Sequence, residues 1–182
     1  MVWSKSLLNG WDLFQKGITY EEFVARYNDK ERARFEDAYE KASFTASELS
    51  WSDELKKAFG GPIPTIVMAE NWCLDCMMSI AVFGRLMKET AAFDVRIIYR
   101  DDPNLSQKEK HDFLTWGREK IPVFVFMDQK GREIGRYASR PYTLEIAGIQ
   151  GDIEKVKALY QDGSYRQEML SELKAALAFE VQ

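Results

Sequence analysis

The sequence predicts an α/β fold with helical additions at both ends, on three observations. Helix-type patterns fill the chain up to Gly60-Gly61. Beyond Pro64, short β-branched apolar runs alternate with helical patterns in the order strand, helix, strand, helix, strand, strand, helix. After Tyr137 the pattern is again helical alone. With 182 residues and 46% hydrophobic content, the chain can bury one good-sized core. The expected division is a helical N-terminal extension over residues 1–60 and an α/β domain with C-terminal helices over 61–182.

Within the extension, Thr19-x-x-Glu22 is a capping box whose hydroxyl and carboxylate each satisfy an orphan amide. Phe23, Tyr27, Phe35 and Tyr39 supply the apolar faces. Ser50-x-x-Asp53 opens a further helix, which Lys56 and Lys57 at its negative pole and then two glycines bring to a stop. Thr65-Ile66-Val67-Met68-Ala69 is a buried strand that runs directly into Trp72 and two cysteines. Met77, Ile80, Ala81, Gly84 and Met87 fall on one helical face and Val82 and Leu86 on another, so the next helix is covered on two sides.

Phe93 to Tyr99 is a second strand, and the capping box Ser106-x-x-Glu109 starts a helix expected to end by Gly117. Pro122 to Met127, apolar on both faces, is an interior strand. Asp128-Gln129-Lys130-Gly131 turns the chain into a fourth strand, Arg132 to Tyr137. In the helical remainder, Ile153, Val156 and Tyr160 share one face, while Ser164-x-x-Gln167 caps a helix with Met169, Leu173 and Leu177 inward.

Composition excludes several function classes. Lys plus Arg number 25 against 29 Asp plus Glu, and a net charge of −4 offers no broad cationic surface for nucleic acid. The first ten residues lack a secretory apolar core, and no run is long enough to span a bilayer, so a cytoplasmic protein without membrane partners is expected. Cys73 and Cys76 are too few for a disulfide framework or a four-ligand structural zinc site. Reversible redox chemistry is the natural remaining use.

A Trp72-Cys73-Leu74-Asp75-Cys76 motif at a strand-to-helix turn, with Ile121-Pro122 opening a later hairpin strand, resembles thioredoxin over roughly residues 60 to 150. The resemblance implies a thioredoxin fold: a central mixed sheet, four-stranded here, flanked by helices. It further implies that Cys73 attacks, that Cys76 resolves, and that a cis Ile121-Pro122 bond lies beside the dithiol. Trp72, Ile121 and Pro122 are then the substrate-binding residues. The implied activity is thiol–disulfide oxidoreduction without a cofactor, with protein disulfides as substrates and a cellular reductant or reductase as electron donor.

Physical chemistry gives the motif its logic independently. A thiolate, not a thiol, is the nucleophile, and unpaired amides with the positive dipole end at a helix start stabilise it. Lowering a cysteine pKa from about 8.5 to about 7 raises its thiolate fraction at neutral pH from a few per cent to about half. Cys76 lies one helical turn further in, within reach of a mixed disulfide on Cys73.

The sequence also departs from the thioredoxin pattern. Leu74-Asp75 stands between the cysteines in place of Gly-Pro, and apolar Val67 stands where a buried acid is usual. Asp75 or Glu70 could relay the proton of Cys76 instead, although their charge opposes a thiolate. A moderately acidic Cys73 and a reducing couple are therefore expected. Trp72 with Met77 and Met78 suggests an apolar rim, while helical spacing alone explains the methionines as core. His111, flanked by Lys110 and Asp112, reads as solvated. Two other function classes stand beside the enzyme: an interaction module that holds a partner in the Trp72 and Ile121-Pro122 groove without turnover, and metal binding through the cysteine pair, for which no further ligands lie nearby in sequence.

Overall fold

The computed structural model describes residues 10–115 and 117–177; the first nine residues of the expected helical extension lie outside the described residues. The chain runs α1 (Gly10–Lys16), β1 (Ile18–Thr19), α2 (Tyr20–Ala25), α3 (Asp29–Lys41), α4 (Ala46–Leu49), α5 (Trp51–Phe59), β2 (Ile63–Ala69) and α6 (Leu74–Thr90). It continues through β3 (Phe93–Tyr99), α7 (Gln107–Asp112), β4 (Val123–Met127), β5 (Glu133–Ala138), α8 (Tyr142–Ile149), α9 (Ile153–Asp162) and α10 (Tyr165–Leu177). The strands form one mixed sheet in the order β1-β3-β2-β4-β5. β2 runs parallel to β3 and antiparallel to β4, whereas β1 on β3 and β5 on β4 are antiparallel.

This is the expected α/β class with one strand more than expected. Ile18 and Thr19 lie opposite Ile97 and Arg96, so the segment before Gly60 is not wholly helical. A two-residue strand carries no period of its own; its partner on β3, far along the chain, makes it a strand. Thr19 then ends the strand and caps α2 in the same residue, with Glu22 completing the capping box.

Ser50 does not cap a helix. Thr45 and Glu48 form a capping box one turn earlier, so Ser50 already has helical dihedrals and its hydroxyl donates back to the Ser47 carbonyl. Gly60, at φ 75°, closes α5 in the left-handed conformation that lysines and glycines predicted. α7 stops at Asp112, short of Gly117, because Phe113 drops into the core and Thr115 and Arg118 bridge across a tight turn. On α9, Tyr160 is buried and Val156 packs against the core, while Ile153 at the helix start is exposed.

β2 is buried at every position and therefore covered on both faces. α6 is almost wholly buried along Cys76 to Gly84, with the sheet below it. Phe83 is the hub of this layer, its ring 4.9 Å from Phe93 and 5.0 Å from Phe124 between centroids. The N-terminal helices share this core through Leu13, Phe23 and Phe35, as α10 does through Met169, Leu173 and Leu177. Among the described residues no helix is long and apolar enough to cross a membrane.

Candidate functional site

β2 ends at Ala69, and the turn Glu70-Asn71-Trp72 delivers the chain to Cys73, the N-cap of α6. Two contacts hold that turn. The Asn71 side chain accepts from the Tyr99 hydroxyl at 2.6 Å and donates to the Phe23 carbonyl at 3.4 Å, which ties the turn to β3 and α2. The Cys73 N–H donates to the Glu70 carbonyl at 3.2 Å.

Cys73 caps its helix with sulfur. With φ −83° and ψ 116° it leaves the helical region, and its Sγ accepts the Cys76 N–H at 3.3 Å. Its thiol also faces the Ile121 carbonyl oxygen at 3.8 Å, and the Ile121-Pro122 peptide bond is cis. The Pro122 carbonyl is taken by the Ser139 N–H, so the neighbouring Ile121 backbone is what this loop presents to the sulfur. Cys73 and Cys76 are free thiols, and the two sulfurs converge. Cys73 keeps 9% of its surface open, while Cys76 is sealed in the core.

The pair is electrostatically split. A hydrogen bond from the Cys76 thiol lowers the Cys73 pKa, assisted by the backbone N–H groups of Cys76 and Asp75. Burial and the Asp75 charge oppose this. Burial pushes Cys76 well up, the bond to Cys73 and the Cys73 charge add to that, and the Glu70 backbone N–H works the other way. Ionisation is thus favoured at Cys73 and opposed at Cys76.

The two carboxylates considered as relays are both engaged. Glu70 accepts the Asp101 N–H at 2.9 Å. Asp75 accepts the Tyr160 hydroxyl of α9 and has Arg140 3.6 Å from its other oxygen. Val67 is buried and apolar under the site. Trp72 stands 62% exposed with the Arg100 guanidinium 5.2 Å over its ring, and Leu74 is 46% exposed. Met77 and Met78 are buried, so the apolar rim is Trp72 with Leu74 rather than Trp72 with the methionines. Beside the dithiol opens a polar cleft of about 310 Å³, lined by Asp75, Ile121, Arg118, Arg140, Glu145 and Ile149 among others. Among the described residues no group of three His, Cys, Asp or Glu side chains converges as a metal site would need.

Sequence reasoning did not single out Asn71, Arg140 or a site role for Tyr160. Asn71 follows the strand directly and could have been examined as a turn residue; the others meet the motif only through tertiary packing.

A family model described as Thioredoxin matches residues 17–151. The chain belongs to the thioredoxin family. The match begins at residue 17 and takes in β1 to α5, so it reaches further toward the N-terminus than the expected start near residue 60 and leaves α1 before it. Among solved structures, a protein of unknown function from Pseudomonas aeruginosa matches at 19% identity and a TM-score of 0.72, covering 92% of this chain and 96% of its own. An HIV epitope-scaffold matches at 18% identity and a TM-score of 0.70, with the same coverage of 92% and 96%. At these identities the likeness is one of fold. No curated protein matches the chain.

Proposed function

We propose that the protein is a thiol–disulfide oxidoreductase that reduces protein disulfides through a Cys73/Cys76 dithiol cycle. The observation that carries this is Cys73 as the sulfur N-cap of α6, receiving the Cys76 N–H beside the Ile121 carbonyl. The Cys73 thiolate attacks a substrate disulfide, forming a Cys73–substrate bond and releasing one substrate thiolate, which takes a proton from solvent. Cys76 then gives up its proton and attacks the Cys73 sulfur. A Cys73–Cys76 disulfide forms, the second substrate thiol leaves carrying the balancing proton, and two electrons have passed to the substrate.

A cellular dithiol or reductase then restores the pair, which suits a reducing compartment such as the cytoplasm. Trp72 and Leu74 favour extended, apolar substrate segments whose backbone lies along Ile121-Pro122. Of the two carboxylates, Asp75 is the better supported relay, since its charge acts on both sulfurs. The opposing Asp75 charge supports a couple on the reducing side.

Insulin reduction by the full chain tests the reading, with Cys73→Ser expected to abolish activity and Cys76→Ser expected to accumulate a mixed disulfide. Equal rates for Cys73→Ser and the parent would remove the enzyme. The exposed Trp72 favours one second reading, a partner-binding module using the same groove without turnover; partner binding that survives Cys73→Ser together with zero insulin reduction would select it.

A further inference from the structure

The polar cleft beside the dithiol holds a charge that the exchange reaction does not use. Ile121 belongs to both places: its carbonyl faces the Cys73 thiol at 3.8 Å, and it lines the cleft. A substrate held over Cys73 therefore lies at the edge of the cleft. The cations Arg118, Lys120 and Arg140 stand in its lining with the carboxylates Asp75 and Glu145. All but Arg118 are matched. Glu145 pairs with Lys120 and, at 3.2 Å, with Arg140, which also reaches Asp75 at 3.6 Å. Gly148 leaves the room in which the Arg140 guanidinium sits, since a Cβ there would run into it. Arg118 is exposed, and among the described residues no carboxylate comes within ion-pair distance of it. Its neighbour Glu119 lines a separate pocket, with Arg100 and Lys110, and not this cleft.

We propose that Arg118 selects substrates by binding a carboxylate carried two or three residues from the disulfide cysteine that Cys73 attacks, so that the preferred substrate is an acidic protein segment. This names a substrate class for the oxidoreductase reading and rests on that reading.

Reach sets the position of that carboxylate. Arg118 precedes Ile121 by three residues, and three residues of chain span at most about 11 Å. A substrate cysteine at Cys73, in a segment extended toward the cleft, brings its second or third neighbour to Arg118. Charge sets the preference. The lining holds one cation more than its carboxylates match, in a protein whose net charge is −4. On the other flank of the site Arg100 lies over Trp72, but both Asp101 oxygens hold it, at 2.9 and 3.2 Å, so its charge is already answered. A substrate carboxylate gives Arg118 the pairing that Glu145 and Asp75 give the other two cations. The guanidinium fork accommodates both carboxylate oxygens at once, which an amide cannot offer. A substrate ammonium in the same place meets like charge and is disfavoured.

The test uses the full-length reduced protein and three peptide disulfides that differ only in carrying Asp, Asn or Lys at the second and third residues on both sides of the cysteine. The quantity read is the reduction rate of the Asp or Lys peptide divided by that of the Asn peptide, each ratio being compared between parent and variant, so that changes in the Cys73 thiolate itself cancel. The parent is expected to prefer Asp over Asn by about three-fold at low salt and to lose most of that preference at high salt. Arg118→Gln should bring the ratio near one, and Arg118→Glu should turn the preference toward Lys. Arg34→Gln, on α3 and outside the cleft, removes the same charge and should leave the parent's preference in place. Equal rates for the three peptides, a preference that survives Arg118→Gln, or one that Arg34→Gln removes equally overturns the proposal and leaves the oxidoreductase reading intact. A folded parent that reduces none of the peptides overturns the oxidoreductase reading itself.

Discussion

The hydroxyl of Tyr160 donates to the carboxylate of Asp75, 85 residues away in the chain, so a C-terminal helix grips a residue standing between the two cysteines. Arg140 approaches the other Asp75 oxygen and is itself held by Glu145, which also binds Lys120. The C-terminal additions thereby reach the dithiol electrostatically without touching a sulfur. Asp75 raises the pKa of both cysteines. Whatever neutralises its charge therefore favours the Cys73 thiolate.

Two substitutions should move the site in opposite directions. Asp75→Asn removes the opposing charge, so the pH profile of Cys73 alkylation should shift down and the couple should become more oxidising, because a stabilised thiolate stabilises the reduced form. Tyr160→Phe leaves the carboxylate less neutralised, and the same profile should shift up. Iodoacetamide rates from pH 5 to 9 check both, and shifts of the same sign in the two variants would refute the account.

Asn71→Ala should loosen the entry to the site. It removes one bond from the Phe23 carbonyl, which keeps the Arg26 N–H, and one from the Tyr99 hydroxyl, each worth about 1 kcal/mol. A stability loss of about 1–2 kcal/mol in urea unfolding is expected, together with slower attack by Cys73 as its turn becomes less fixed. Faster hydrogen exchange at Trp72 and Cys73 amides would locate the effect.

How much of this was legible in the sequence follows the range of each interaction. The Cys73/Cys76 spacing, the Thr19/Glu22 and Ser106/Glu109 capping boxes and the apolar runs of β2 and β4 are local patterns, and the structure shows each where its period placed it. β1 was invisible because two residues have no period and its partner lies on β3. Ser50 misled because Thr45 starts a better cap one turn earlier. Met77 and Met78 are buried as their helical spacing implied. Asn71, Arg140 and Tyr160 join the site only when elements distant in sequence close over it, and no spacing rule reports that.

Gly135 marks where the C-terminal helix lies closest on the sheet. A Cβ at this position of β5 would run into the Ala176 carbonyl oxygen of α10, a backbone atom that cannot swing aside. Gly135→Ala should therefore lift α10 from the edge strand and cost about 1–3 kcal/mol, the usual range for overpacking. Exchange protection should fall first along Met169 to Leu177, which lies beyond the family match ending at residue 151. An unchanged unfolding midpoint would mean that α10 is not held against β5 in this way.

A last consequence concerns acid. Glu109 closes the α7 capping box with Ser106 and also binds Lys16 of α1 at 2.5 Å, joining the N-terminal helix to the loop region beyond β3. The Lys16 ammonium, then the Ser106 backbone and hydroxyl, hold its pKa down at about 2. A carboxylate whose folded pKa is depressed contributes stability above its unfolded value of about 4.3, and that contribution is lost as pH falls toward the folded one. Between about pH 4.5 and pH 2 the parent should therefore lose a contribution that Glu109→Gln has already lost at neutral pH. The difference in urea midpoint between parent and variant should be constant above about pH 5 and shrink steadily below it, as unfolding curves collected across that window would show. A difference that stays constant down to the acid limit would mean that the carboxylate at position 109 does not hold α1 to α7 through its charge.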